Sequence, residues 1–118
     1  MAFKFEKNGP VIVMTCTGSL DAERAQTLRD ALMVGIENAD NLVVNCESVD
    51  TIHSHCVEVF CLSHRIAVRA HKKLLISNIS PDILKLNREE IKNLCSSHSS
   101  LGCNNNCLWA SHEASASV

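Results

Sequence analysis

Three short apolar runs alternate along the chain with two long stretches whose apolar residues recur every three or four positions. The first run, VIVMTCT at 11 to 17, is apolar or β-branched almost throughout and predicts a central strand covered on both faces. Leu42 to Val44, with Cys46 two residues beyond, predicts a second core strand over 42 to 46, and the polar stretch Glu47 to Thr51 after it reads as a turn. LLIS at 74 to 77 is short enough for a third buried strand.

Between these runs lie the helices. Gly18 breaks the first strand, and Asp21 stands where a carboxylate caps free backbone amides, so a helix is expected from 22 to 38. Ala25, Leu28, Leu32 and Ile36 line one face of it, while Glu23, Arg24, Arg29, Asp30 and Glu37 cover much of the rest. A second helix is expected from Ser54, as its cap, to about Ala70. It is largely buried, with Glu58, Arg65, Arg69 and Lys72 forming one wet stripe. Ser80 and Pro81 give a cap and a first-turn proline for a short helix through Ile83, Leu84 and Leu86, and Arg88 to Leu94 adds a further turn or two. Strands alternating with helices predict an α/β fold: a four- to five-stranded, mostly parallel or mixed sheet with flanking helices and right-handed crossovers. Segments 11–17, 42–46 and 74–77 are its neighbouring strands.

Composition changes this picture in two places. After Leu94 the sequence turns to CSSHSSLGCNNNCLWASHEASASV, so residues 1–94 read as the domain and 95–118 as an appended Ser/Asn/Cys-rich tail whose removal leaves the core folded. With 118 residues, 46% hydrophobic and 20% charged, one core is expected, and a net charge of -2 without a Lys/Arg cluster argues against nucleic acid and anionic membranes as partners. No apolar run reaches the roughly 18 residues of a membrane span, and no secretory leader pattern opens the chain, so a cytoplasmic location without membrane insertion is expected. Seven cysteines, an odd number, then point to reduced thiols.

The order of elements resembles a known family. Gly18-Ser19-Leu20-Asp21 is similar to the Gly-x-Leu-Asp that opens the first helix of STAS domains, the anti-sigma factor antagonist type. LVVNCESVDTIHSHCVEVF at 42 to 60 resembles their strand-loop-helix core, and KKLLISNISPDILKL at 72 to 86 their late strand and Pro-started helix. The resemblance runs over roughly residues 3 to 94 and implies a STAS-like fold. In the family the loop before the second helix usually reads Asp-Ser-Ser-Gly, or has Thr for a Ser, and a kinase phosphorylates the second hydroxyl. Here His53, Ser54, His55 and Cys56 stand in those places, so the resemblance puts an imidazole at the acceptor position, and Asn45 replaces the Asp that usually ends the preceding strand.

Each chemical feature has a plainer reading beside the functional one. Ser54 as a helix cap is preferred to Ser54 as a displaced phosphorylation site. His53 and His55 are about 200° apart on a helix and His64 lies on another face, so surface histidines are preferred to a metal or pH-sensing set. Cys16, Cys46, Cys56 and Cys61 lie in apolar segments and read as core. In the tail, His98, Cys103, Cys107 and His112 offer four zinc-ligand types in an H-x4-C-x3-C-x4-H pattern that matches no finger spacing, so a merely docked or unstructured tail is preferred to a metal site or a redox pair. There is no P-loop, G-x-G-x-x-G or G-x-S-x-G motif, and neither catalysis nor a cofactor is expected.

What the resemblance implies is a regulatory protein-binding module of signal transduction and transcription control. Asp21, His53, Ser54, His55, Cys56, Glu58 and Arg65 are its candidate contact residues, its partner is an anti-sigma factor or serine-kinase-like regulatory protein, and a homodimer is open to it. The alternatives are a soluble STAS subunit serving a membrane transporter in trans and a metal or redox sensor built on the tail.

Overall fold

The computed structural model describes residues 3–89, Ile91 and Leu108. Strands β1 (Phe3–Asn8) and β2 (Val11–Leu20) form a hairpin. A 3-10 turn at Ala22–Arg24 leads into α1 (Ala25–Asn38), followed by β3 (Asn41–Ile52), α2 (Ser54–Arg69), β4 (Lys73–Ser77) and α3 (Pro81–Leu86). The sheet order is β1-β2-β3-β4, with β1 antiparallel to β2 and the other two pairings parallel. This is the mixed sheet expected, with 11–17, 42–46 and 74–77 adjacent.

Register explains the core. Ile12 pairs with Leu42 and Leu42 with Leu74, and Met14, Val44 and Ile76 form the next row. All six are buried on one face, where Leu28, Leu32 and Ile36 of α1 and Val57, Phe60 and Ala67 of α2 complete the cluster. Gly35 brings α1 close to the sheet, since a Cβ there would meet both Leu42 methyl carbons at 2.8 Å. On the other face Val13 and Val43 are half-buried and Leu75 is exposed. β2 is therefore central but fully buried on one face only, which corrects the expectation of cover on both.

Two further differences concern strands. β1 was not foreseen, although Phe3 and Phe5 alternate with Lys4 and Glu6 in the two-residue period of a strand. Residues 47 to 51 are strand and not turn: β3 continues to Ile52 through register shifts opposite Thr15/Thr17 and Gly18/Ser19, where it carries extra residues. Such bulges break the alternation that marks a strand in sequence.

The helix ends follow local chemistry. Asp21 caps the 3-10 turn, its Oδ1 accepting from the Arg24 N–H at 3.1 Å, and α1 proper begins at Ala25. Ser80 Oγ accepts from the Asp82 N–H at 3.2 Å, with Pro81 in the first turn of α3. The C-terminus of α1 has no basic residue in its last turn, and Lys72 Nζ donates to the Ile36 carbonyl instead. α2 closes with the Lys72 N–H bonded to the Ala67 carbonyl at 2.8 Å and the His71 N–H to that of Val68 at 3.1 Å. This Schellman pattern puts His71 in the left-handed region, at φ 59°, where glycine is the usual occupant.

Of the segment expected to be an appended tail, Leu108 is described, and it is buried within the hydrophobic cluster together with Ile91. Two stability measurements follow. His71→Gly should raise the unfolding free energy by about 0.5–1 kcal/mol by relieving the left-handed strain, seen as a higher urea midpoint at unchanged slope. Leu108→Ala should lower it by about 2 kcal/mol or more, the range of a buried leucine, whereas a leucine on a loose tail would lose under about 0.5 kcal/mol.

Candidate functional site

The C-terminal ends of β2 and β3 meet the start of α2 at one corner of the molecule. The His53 N–H donates to the Leu20 carbonyl at 2.7 Å and closes the end of β3 onto the end of β2. The Cys56 thiol donates to the Asp21 carbonyl at 3.3 Å, and the Arg24 guanidinium to the Thr17 carbonyl at 3.2 Å. Crevices beyond the carboxyl ends of parallel strands are where open α/β sheets place their sites.

The cap of α2 differs from expectation. His53, not Ser54, is the capping residue: its Nδ1 accepts from the His55 N–H at 3.1 Å, while its carbonyl takes the Cys56 and Val57 amides. Ser54 lies in the first helical turn and is half-buried. The His53 and His55 rings stand edge to face with centroids 4.7 Å apart, and both side chains are exposed.

The candidate contact residues divide by burial. Asp21, His53, His55 and Glu58 are exposed, and Ser54 lies among them. Cys56, at 0% exposure, and Arg65, at 7%, are buried, so neither presents the exposed side chain expected of a residue that meets a partner's surface. Arg65 shared a helical stripe with Glu58 and Arg69, but only those two remain exposed, because the buried arc of α2 extends past the sheet-facing residues to include Cys61 and Arg65. His64 is likewise buried, not a surface histidine, and its Nδ1 has no hydrogen-bond partner among the described residues. The tail candidates His98, Cys103, Cys107 and His112 lie outside the described residues. Among those described, no group of three or more His, Cys, Asp or Glu side chains is placed to hold a metal ion.

Burial decides the state of the thiols. Desolvation, with a smaller contribution from Asp21, pushes the Cys56 thiol up to about 11, so it stays protonated near neutrality and lacks the thiolate that a nucleophile needs. The hydrogen bond with Cys46, then burial, hold the Cys16 thiol far above its ordinary range. Both act as core packing.

The profile of the family described as Mlab, STAS domain matches residues 3–89, well over half of the chain. The chain belongs to the STAS domain family. SpoIIAA, an anti-sigma factor antagonist in its unphosphorylated form, matches this STAS domain with a TM-score of 0.62 at 20% identity, over 74% of this chain and 82% of that one. The Bacillus cell fate determinant SpoIIAA in its phosphorylated form also gives 0.62 at 20% identity, over 75% and 82%. An anti-sigma factor antagonist from Mycobacterium paratuberculosis gives 0.63 at 14%, over 80% of each chain. At these identities the likeness is one of fold. No curated protein matches the sequence.

His64 gives the STAS domain a pH signature. Burial, then the nearby Arg65 charge, lower its pKa below the ordinary 6.5, so the folded state favours neutral imidazole. Above about pH 6.5 both states are neutral and the stability is fully present. As the pH falls, the unfolded chain binds the proton first, and stability is lost down through the lowered folded pKa. Urea midpoints measured at pH 7.5 and 5.5 should therefore differ, and the difference should shrink in His64→Gln.

Proposed function

We propose that this STAS domain is a regulatory protein-binding module of the anti-sigma factor antagonist type, docking through the corner formed by Asp21, His53, Ser54 and His55 and the exposed Glu58 beside it. It acts by binding and not by catalysis. The observation that carries the reading is the exposed imidazole of His55 at the start of α2, in the place where the family resemblance puts the phosphorylated hydroxyl. The fold it shares with SpoIIAA, a protein solved in unphosphorylated and phosphorylated forms, supports an anti-sigma factor or serine-kinase-like regulatory protein as the partner.

His55 changes the control of such a surface. A kinase site for serine places a hydroxyl oxygen in line with the γ-phosphate, and an imidazole does not supply that oxygen. A phosphate would add about -1.5 to -2 charges at the docking corner, which His55 does not reproduce in sign or size. The module is thus constitutively competent to bind, with regulation residing in the partner. Constitutive docking also favours a second reading, a STAS subunit held by a membrane transporter in trans. Among the described residues no helix is long and apolar enough to cross a membrane.

Affinity capture from native lysate, with and without ATP, tests the proposal. A kinase-like ATPase among the captured proteins supports the first reading, and a transporter ATPase or permease the second. With a captured kinase and ATP, intact mass should show no phosphate on the native protein and one on His55→Ser, while His55→Asp should weaken binding. Stoichiometric phosphate on Ser54 of the native protein would overturn the constitutive reading.

A further inference from the structure

The outer surface of the helix layer carries a cleft that meets the proposed docking surface at Glu58. It lies between α1 and α2, has a volume of about 410 Å³, and lies within the range of small-molecule sites. Both helices cross from one parallel strand to the next, so they run in the same direction, and the cleft follows them from Ala25 and Glu58 to Met33 and Ile66. Met33, Val59, Leu62 and Ile66 give it an apolar wall. Leu62 and Ile66, four residues apart, are 40% and 45% exposed, an apolar strip open to water on a soluble face of the domain.

Its charge is one-sided. Arg29, Arg65 and Arg69 line the cleft and Glu58 is the one acidic group among its described lining residues. Arg29 and Arg69 are exposed, and water solvates them. Arg65 differs, being 93% buried by its 7% exposure and making no hydrogen bond or ion pair with the described residues. Among the described residues the polar atom sealed from water without a partner is His64 Nδ1, so the Arg65 guanidinium keeps contact with water at the cleft wall, and its planar fork matches a carboxylate or phosphate bidentately. The group is a cation held by packing at the wall of an apolar cleft and open there to an acceptor.

We propose that this cleft binds a small amphipathic anion, a carboxylate on an apolar chain, with the head group on Arg65 and the chain along Met33, Val59, Leu62 and Ile66. Such a ligand supplies a bidentate acceptor to Arg65 and covers the exposed strip in one step. A purely apolar ligand would leave the excess of arginine over Glu58 without a counter-charge, and a bare anion would leave the strip in water. The site shares Glu58 with the docking surface but draws no contact from it, so its failure would leave the proposed function untouched.

Decanoate, kept below its micelle concentration, is the probe, titrated into the 15N-labelled full-length protein. Decyltrimethylammonium and acetate serve as controls for charge and chain. Saturable shifts at Arg29, Val59, Leu62 and Ile66 with decanoate, at least tenfold weaker binding for both controls, and a thermal midpoint raised by decanoate are expected. Arg65→Met keeps the length of the side chain and removes the buried charge, so the variant should fold and lose at least tenfold in decanoate affinity. Ile66→Glu, at an exposed position, should lose binding without disturbing the core. Equal binding of the cationic control, unchanged decanoate affinity in Arg65→Met, shifts confined to other surfaces, or no binding at millimolar decanoate would each overturn the proposal. So would an acidic amphipathic peptide that occupies the cleft when decanoate does not.

Discussion

Parallel pairing in register along β3 is the constraint on which the rest depends. β3 bonds to β2 on one side and β4 on the other, so the rows Ile12, Leu42, Leu74 and Met14, Val44, Ile76 cross the sheet as continuous apolar bands. Parallel neighbours need a crossover, and the two crossovers here are α1 and α2, placed on the face those bands present. A slip of one residue would turn each band to the opposite face and leave Leu28, Leu32 and Phe60 packed on Val43 and Val13 positions. The two ends of the pairing are also tied: the Pro10 carbonyl accepts the amides of Asp40 and Asn41 at one end, and the Leu20 carbonyl accepts that of His53 at the other.

The irregular half of β3 makes the site out of this regular frame. Its extra residues let the strand keep pairing while its polar side chains change register, and the strand delivers His53 beside Leu20 and Asp21. From there Cys56 fastens the first turn of α2 to the loop that opens α1. Cys56 is thus a structural part of the corner, and the residues that a partner can meet are those at its rim.

Much of this was legible in the sequence because the signals were local. Asp21 and the Ser80-Pro81 pair act within one turn of their own position, and the three apolar runs needed no partner to be recognised. The STAS resemblance rested on those same segments. What escaped depends on neighbours distant in sequence. A helical wheel puts Arg65 with Glu58 and Arg69, but how much of a helix is covered is set by what packs on its flanks, and here the cover extends to Arg65 and His64. The extension of β3 was hidden by bulges that spoil its alternation, and Ser54 was given the cap because hydroxyls are commoner caps than imidazoles. β1 is the exception, since the alternation of Phe3 and Phe5 with Lys4 and Glu6 lay in plain view.

The His53 cap bears directly on the proposed loss of the phospho-acceptor at His55. The first turn of a helix offers free amides and the positive end of a dipole, which is why a phosphate placed there can be held by backbone alone. In this STAS domain His53 takes the His55 amide with its ring and the Cys56 and Val57 amides with its carbonyl, so three amides of the helix start are satisfied from within the chain. A phosphate arriving on Ser54 would compete with the His53 ring for the His55 amide. The replacement at position 55 removes the hydroxyl, and the His53 cap removes much of the electrostatic reason for having one. On the proposed reading, two changes that look independent in sequence act in the same direction: the His53 cap holds the start of α2, and the imidazole at position 55 leaves the surface beside it without a hydroxyl to switch.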